Sequence, residues 1–482
     1  MTDAEYTAWL DSTNRMPCVL IDVTARTTAG AAVVRKLSNR AFEDYEPRIT
    51  GSVGFSERLP LGGSPSFSMG SLEIANDDAE LDAWLSDVWD TAPVEIRYGD
   101  LRWPSADFRV VVRGVVESLE TASANRSLVV TVADMQKRID TPFTVDKLPG
   151  NGIADDDVMP YIFGEVHNVQ PRLIDEVAGK YQYSGRACER VIEARDDGVP
   201  ITVDVQLSAG TLTLRNRLSQ QLTLSVQGDA VGGYVFTVPD VILRIVTQFG
   251  DVKTRLATSD IDTANFAAVK AAAPAAVGIA LYERENVWSI CQYLAESIGY
   301  TLTCTRLGKL RLVRVGDTAG QTPFAIDDND IFLDGKLTRG VGPKFPAGVK
   351  LGYAKNYTVQ DTLYSGILDA HKELFAKEWL TVTRTNTAFA DTYKRYVDPE
   401  QEDTALQATA DAETEAARRL AFRTTNPTPY TFEGTPRLFA LSLGQLVRIT
   451  THRHGFQAGK LAQVIGLDTN YASGRVSVQV IA

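Results

Sequence analysis

The chain has 482 residues, more than one ordinary domain holds, and this length predicts three or four domains. Hydrophobic residues make up 44% and charged residues 23%, so each segment can bury a core and wholesale disorder is excluded. The net charge of −12 opposes a tight grip on nucleic-acid phosphates, although it suits a surface along which DNA slides without sticking.

The N-terminal sequence MTDAEYTAWLDSTNR lacks a basic region followed by an apolar stretch, so we expect no signal peptide. The most apolar long stretch, residues 266–282, contains Lys270 and Pro274 and does not predict a membrane span. We therefore expect a protein without membrane segments that folds in a cytoplasm.

Residues 1–148 are expected to form a small β-barrel domain. Strands are predicted from apolar runs and from alternation of polar and apolar residues, at 18–23, 52–59, 66–74, 94–98, 108–119 and 127–132. A short helix is predicted between the third and fourth strands, with one apolar face formed by Leu81, Trp84, Leu85 and Val88.

Residues 149–238 are predicted to form a β-rich insertion domain after a polar, acidic linker at 151–159. Residues 201–207 and 211–214 predict a hairpin, and residues 222–226 are expected to continue its sheet. Residues 239–340 predict an α/β domain with helices at 240–249 and 286–298, followed by a hairpin of residues 300–305 and 309–315.

Residues 341–482 predict a second β-barrel domain with one helix at 403–420, while residues 361–402 match no clear pattern. Strands are expected at 349–353, 430–432, 446–450, 461–467 and 475–481. The whole chain is thus predicted to be α+β and predominantly β, with two small barrels flanking a β-rich and an α/β domain.

Two stretches of the sequence are alike: residues 114–132 (GVVESLETASANRSLVVTV) and 459–480 (GKLAQVIGLDTNYASGRVSVQV). Each has a glycine, an apolar strand, a polar connection and a strand of V-x-V type, and each closes its segment. Any β-hairpin has this form, so the likeness is compatible with chance. The other interpretation is that the chain holds two related barrels.

No catalytic, cofactor-binding or metal site is predicted, and we expect that the protein is not an enzyme. None of the four histidines, His167, His371, His452 and His454, lies near a serine or cysteine in a nucleophile motif. Phosphate-loop, dinucleotide-binding, zinc-protease and serine-hydrolase motifs are absent from the sequence. A pair of facing carboxylates, as glycosidases use, can be neither found nor excluded among 61 acidic residues.

Several residues admit a metal or ligand hypothesis beside a plainer one. His452 and His454 alternate on one face, but a solvated loop is favoured over a metal cage. The acidic runs 155–157 and 327–330 lack calcium-loop spacing and predict solvated turns. Core packing is preferred for the tryptophans that could stack on sugars, Trp84, Trp89 and Trp103. Buried packing is preferred over metal binding or disulfides for the scattered cysteines, Cys18, Cys188, Cys291 and Cys304.

Three stretches resemble the baseplate hub and tail-tip proteins of tailed phages, tail-like bacteriocins and gene transfer agents. The first is PYIFGEVHNVQPRLID, from Pro160, with a central glycine. The second is VWSICQYLAESIGYTLTCTRLGKLRLVRV, from Val287, an apolar helix that ends in glycine before a hairpin. The third is LGQLVRITTHRHGFQAGKLAQVIGLDTNYASGRVSVQV, from Leu443, which ends a barrel with a glycine-led hairpin.

The resemblance implies a homotrimer whose two tube-like barrels per chain form a pseudo-sixfold ring continuing the tail tube. It implies a virion tail-tip protein, assembled in the host bacterial cytoplasm, with a lumen for DNA and the tape-measure protein. The implied partners are further copies of the chain, the distal tail protein or tail tube, and a central spike or fibre. DNA would pass without specific binding, and neither a cofactor nor a membrane would take part.

Two other functions remain compatible with the sequence. A hexameric distal tail protein usually has one tube barrel per chain, so two barrels count against it. A receptor- or carbohydrate-binding tail module would present an exposed aromatic platform.

Overall fold

In the computed structural model, the described residues are 1–61, 68–149, 157–218 and 220–482. Strands dominate, and the described ranges contain seven α-helices, so the predicted α+β, mostly β class is confirmed. Within these ranges, no helix is both long and apolar enough to cross a membrane.

The N-terminal part begins with a short helix whose capping box joins Thr2 and Glu5, followed by seven strands. Runs of β-branched residues such as those of β1 favour extended backbone. The elements are α1 (Asp3–Asp11), β1 (Pro17–Arg26), β2 (Ala32–Ser38), β3 (Gly54–Arg58), β4 (Met69–Ala75), β5 (Pro93–Asp100), β6 (Arg109–Ala122) and β7 (Ser127–Ala133).

The next part holds eight strands and leads into the α/β region. Gly164 at the centre of the first strand has φ +65°, and a Cβ there would lie 1.8 Å from the carbonyl oxygen of Val277, so only glycine fits. The strands are β8 (Tyr161–Val169), β9 (Arg172–Asp175), β10 (Lys180–Gln182), β11 (Cys188–Asp196), β12 (Val199–Ile201), β13 (Val203–Gln206), β14 (Thr211–Leu214) and β15 (Leu222–Asp229).

The α/β region packs three helices into one apolar core. Asn286 caps the third helix, and Gly299 follows that helix with φ +72°, so the predicted helix and hairpin around it are confirmed. The elements are α2 (Val238–Gln248), α3 (Thr263–Ala272), β16 (Gly278–Leu281), α4 (Val287–Ser297), β17 (Thr301–Cys304), β18 (Leu310–Val313), β19 (Phe324–Ile326) and β20 (Thr338–Arg339).

The C-terminal part follows with further helices and strands. Its elements are β21 (Gly348–Tyr353), α5 (Asp369–Phe375), β22 (Leu380–Thr385), α6 (Thr387–Tyr393), β23 (Gln401–Asp403), α7 (Thr409–Thr424), β24 (Pro429–Gly434), β25 (Leu446–Ile449), β26 (Lys460–Asn470) and β27 (Arg475–Ile481). The long helix starts six residues later than expected, because residues 401–403 pair with β21 instead.

The largest sheet joins the two ends of the chain. Its thirteen strands run in the order β2-β1-β5-β6-β7-β4-β3-β26-β27-β24-β20, with β25 beside β26 and β19 beside β25. A single apolar core beneath it contains Val130 and Val132 from the first part and Val478 and Val480 from the last. Across the described residues neither predicted barrel closes within the single chain, and both segments instead contribute strands to one sheet.

Other local expectations are corrected. The 81–88 segment forms only a short 3-10 helix, Asp82–Ser86, and Leu85 and Val88 of the predicted apolar face are exposed. The strand of residues 222–226 joins β11 and β8 and not the β13–β14 hairpin. Residues 361–402 hold two helices and a strand that no pattern predicted. Residues 66–67 of one predicted strand and 151–156 of the predicted linker lie outside the described residues. The domain boundaries after residues 148, 238 and 340 stay a prediction.

Candidate functional site: two equivalent sheet units and their joint

The large sheet contains the same arrangement of strands twice. We call β4 to β7 the first unit and β24 to β27 the second unit. In each unit, an initial strand leads through a 3-10 helix to three further strands. The spatial orders are β5-β6-β7-β4 and β25-β26-β27-β24, so the chain order of the strands and their neighbours agree between the units.

The closing hairpins of the two units agree in detail. Four residues separate the last pair of each hairpin, Ala122 with Ser127 and Asn470 with Arg475. Each first strand carries a bulge five residues before that pair, at Glu117 and at Ile465. A bulge shifts the register of the rest of the strand. The same bulge at the same position therefore indicates that the two hairpins have the same fold.

Side chains at equivalent positions also match. Val94 and Ile96 of β5 correspond to Val447 and Ile449 of β25, because their partners on β6 and β26 are equivalent. All four are buried in the shared core. The likeness between residues 114–132 and 459–480 therefore reflects equivalent hairpins, although the matching register differs by three residues from an alignment of Gly114 with Gly459.

The two units meet where β3 of the N-terminal part pairs with β26. Register there runs from Gly466 opposite Arg58 to Asn470 opposite Gly54. The hydroxyl of Thr469 donates to the Phe55 carbonyl at 3.0 Å. Ser56 and Arg58 both donate to the Asp468 carboxylate, Arg58 at 2.6 Å. We call this pairing the unit joint; it makes one sheet of two units.

A buried ion pair fixes the α/β region to the unit joint. Arg306, in the turn between β17 and β18, places its Nε 2.8 Å from Oε2 of Glu57 on β3. Its other nitrogens donate to the Tyr471 hydroxyl at 3.3 Å and to the carbonyls of Phe439, at 3.0 Å, and Leu441. The Glu57 side chain is 3% exposed and the Arg306 side chain 10% exposed. One guanidinium thus connects β3, the second unit and the β17–β18 hairpin.

Burial changes the acidity of Glu57. Removal from water raises the pKa of its carboxyl to about 7, and the positive charge of Arg306 opposes part of that rise. A buried carboxyl whose pKa rises can indicate a catalytic acid. Here Glu57 is itself part of a buried ion pair with Arg306, between packed strands, so its position is structural.

The structure separates the residues considered for metals. His452 lies 3.5 Å from Asp328 on the exposed side, whereas Nε2 of His454 is 3.1 Å from the Leu337 carbonyl oxygen. Asp155 and Asp156 lie outside the described residues. Among the residues described, no three His, Cys, Asp or Glu side chains cluster as a metal site would need. The four cysteines are all buried, as interpreted from the sequence: Cys18, Cys188, Cys291 and Cys304.

Two histidines far apart in sequence line the same cavity. His167 and His371 border a cavity of about 430 Å³ with Arg195, Asn356 and Phe375. Burial lowers the pKa of His167, so its imidazole is favoured in the neutral form. No sequence pattern signals this proximity, because the two lie 204 positions apart in the chain. The lining residue Ser225 places its hydroxyl oxygen 3.3 Å from Nδ1 of His167, and Nε2 of the same imidazole lies 3.4 Å from Oε1 of Glu165.

The tryptophans take the preferred core roles. Trp84 and Trp89 are buried with ring centroids 5.9 Å apart. Trp103 is half-buried, and its ring centroid lies 4.6 Å from that of Trp9. None of these rings forms an exposed platform for a sugar.

Comparison with known proteins gives distant structural likenesses. No protein-family model matches the sequence, and no curated protein matches it. The 43 kDa tail protein of prophage MuSo2 from Shewanella oneidensis has 11% identity, a TM-score of 0.45, and coverage of 96% of this chain and 98% of that one. A tail protein from Neisseria meningitidis MC58 has 11% identity, a TM-score of 0.42, and coverage of 96% of both chains.

A chain from the virion of a native gene transfer agent has 14% identity and a TM-score of 0.41, and the match covers 72% of this chain and 91% of that one. Because the identities are low and the TM-scores lie below 0.5, these likenesses support no statement about function, which depends on the geometry of the chain itself. The first two of these structures are named as tail proteins, and the third belongs to a gene transfer agent virion.

Proposed function

We propose that this chain is a structural protein of a phage tail tip that forms a ring of three copies. The ring connects the tail tube or distal tail protein to a central spike or fibre, and it leaves a channel for DNA and the tape-measure protein. The observation that carries the proposal is the pair of equivalent units in one sheet.

Two equivalent units per chain have a use at a symmetry mismatch. Three copies around an axis place six similar units at nearly equal angles, so a threefold ring presents a nearly sixfold face. A tube with six subunits per layer could then dock on one side and a trimeric spike on the other. The net charge of −12 agrees with a channel that DNA passes without binding.

Labelling in the particle tests the location. A gold-conjugated antibody against this chain should decorate purified phage particles at the tail end away from the capsid. Label on the capsid, or intact particles that lack the protein, would overturn the proposal.

The mass of the native protein separates the alternatives. Native mass spectrometry should give a particle of three times the 52.7 kDa chain. Six chains per ring would favour a distal tail protein instead. A single chain that binds cell-wall sugars would favour a receptor- or carbohydrate-binding module.

A further inference from the structure

The two units differ in the pairing along the outer edge of the longer strand of the closing hairpin, β26 in the second unit and β6 in the first. In the second unit, the start of β26 pairs with β25 and its end, from Gly466 to Asn470, pairs with β3. In the first unit, the start of β6 pairs with β5 as far as Val115. Within the described ranges, no strand pairs with the outer edge of β6 from Ser118 to Ala122.

The difference in cover is visible in side-chain burial. Leu467 and Thr469 are buried beneath β3. Their equivalents in the first unit, Leu119 and Thr121, are half-buried and exposed. An exposed strand edge with unpaired backbone groups is a ready site for another strand.

The strand that would fill this place in the repeat lies at the other end of the sheet. β20 pairs with β24 as β3 pairs with β4, and in the described part of the chain β20 has no second neighbour. Residues 338–341 are exposed, and the Val341 side chain is 87% exposed. The sheet thus ends at β20, which is the equivalent of β3. Elsewhere in the sheet, the end of β6 is the equivalent of the β26 edge, and no described strand pairs with it.

We infer that β20 of one copy pairs with the free edge of β6 in the next copy, repeating between chains the unit joint found within each chain. This inference rests on the proposed function, since it supplies the contact that closes the proposed ring. A contact between two different surfaces of the same chain either closes into a ring or extends as a filament. In the proposed ring of three copies, this contact gives six similar joints, three inside chains and three between them.

The register follows from the unit joint. Gly70 and Tyr430 are equivalent, because they pair with the equivalent residues Val132 and Val480. Arg339 lies opposite Tyr430, and it therefore takes the place of Phe55, one residue before the Ser56 that pairs with Met69.

Between copies, the same register sets Arg339 opposite Thr121, as Phe55 lies opposite Thr469 within the chain. Two residues further on, Val341 then meets Leu119, so two exposed or half-buried apolar side chains cover each other. Thr121 keeps the hydroxyl with which Thr469 donates to the Phe55 carbonyl. Gly340 and Gly342 take the places of Ser56 and Arg58, so the contacts that these two residues make with Asp468 are not repeated between copies.

Charge favours the same partner. Residues 335–346 carry three exposed basic side chains and no acid, namely Lys336, Arg339 and Lys344. The free edge of β6 carries Glu120, and Glu117 just before that edge already pairs with Lys137 at 3.2 Å. A basic strand beside an acidic edge attracts a second copy in the correct orientation and disfavours pairing of two identical edges.

Paired cysteines test the contact. Directly opposite residues of an antiparallel pair have Cα atoms about 4.5–5.5 Å apart, which a disulfide can span. The full chain with Thr121→Cys and Arg339→Cys should, after mild oxidation, run at two and three chain masses on a non-reducing gel. Each single variant should stay at one chain mass, because the four native cysteines are buried.

Two further variants make the result specific. Ser56→Cys with Asp468→Cys copies the joint inside the chain, so it should form a disulfide without a change in mass. Glu120→Cys with Arg339→Cys is out of register by one residue, which places the thiols on opposite faces, and it should link at least tenfold less.

The outcomes are separable from those for the tail location. One chain mass for the Thr121–Arg339 pair, equal linking by the out-of-register pair, or a ladder beyond three chains would overturn this contact. A threefold particle without the cross-link would overturn the contact and leave the proposed ring standing. Absence of the protein from tails would overturn the proposed function whatever the gel shows.

Discussion

At the scale of single residues, Arg306 has the largest structural role that the sequence did not reveal. Its guanidinium is the partner of a buried carboxylate and of two carbonyls in the second unit. In sequence it stands in a polar turn before Leu307 and Gly308, where a solvated side chain is the ordinary expectation. Its partner Glu57 lies 249 residues earlier in the chain, and only the three-dimensional arrangement brings the two side chains together.

Substitution Arg306→Ala should lower the free energy of unfolding by about 3–5 kcal/mol at pH 8, because it leaves the Glu57 charge buried and unpaired. Urea denaturation followed by tryptophan fluorescence measures the change. Arg58→Ala is the matched control: its ion pair with Asp468 belongs to the same joint but is exposed, and it should cost less than about 1 kcal/mol. Equal losses for the two variants would contradict the assigned role.

Glu57 gives the unit joint a dependence on pH. Its pKa is raised from the usual 4.5 to about 7 in the folded chain, so the folded state favours the protonated form. The contribution of Glu57 is therefore fully present below about pH 4.5 and is lost as pH rises through about 7. Glu57→Gln should remove a fall of up to about 3 kcal/mol in the free energy of unfolding across that window.

Asp100 provides a control of opposite sign for this measurement. Burial alone would raise the pKa of Asp100, but hydrogen bonds from Arg102, Met16 and Trp9 hold it below its ordinary value. Its contribution is present above about pH 4 and is lost in more acidic solution. Asp100→Asn should flatten the acid side of the stability profile and keep the slope between about pH 4.5 and 7; a loss of both slopes would show general unfolding.

At the scale of elements, α4 shows how a local signal becomes part of the tertiary structure. The Asn286 side chain accepts from the backbone of Trp288 at 2.8 Å and of Ser289 at 3.3 Å, as a helix cap does. Its amide also donates to Asp140 at 2.8 Å, so it attaches the helix to the segment after β7. The cap therefore serves the helix and the packing of the α/β region together.

Loss of this cap should be measurable. Asn286→Ala is expected to lower the free energy of unfolding by about 1–2 kcal/mol, because two helix N–H groups and one carboxylate oxygen lose their partner. Asn286→Ser keeps a good capping oxygen and should lose clearly less in the same urea titration. If both variants lose the same amount, the contact with Asp140 and not the cap carries the effect.

Elements with strong local patterns were predictable, and long-range pairings were not. The helix of residues 286–298 and the hairpin after it were predicted within about two residues, since glycine and an apolar face mark their limits. The spacing of apolar residues from Leu81 to Val88 wrongly predicted an α-helix with a buried face. The structure has a 3-10 helix of five residues there, and Trp84 is its buried residue. Pairing of Arg58 with Gly466 leaves no local trace, since it joins strands 408 residues apart.

At the scale of the whole molecule, the unit joint makes the two ends of the chain interdependent. Strand β3 belongs to the first part by sequence and covers the second unit by structure. The core beneath the sheet is continuous across the joint. The second unit therefore depends on the N-terminal part for the cover of its β26 edge, and both units share one core for part of their apolar burial, so separate folding of the two halves is disfavoured.

Hydrogen exchange can show this dependence directly. We expect the amides of β7 and β27 to share the slowest exchange class and to be exposed in one opening event, because they lie in one sheet over one core. Arg306→Ala, which weakens the joint, should speed exchange in both strands by a similar factor. The small sheet that contains β13 and β14 provides an internal reference, since its strand Val203–Gln206 is largely exposed and its exchange should be unchanged. Faster exchange in β27 alone would mean that the units open separately, and the sheet would then be two folding units connected only by the pairing of β3 with β26.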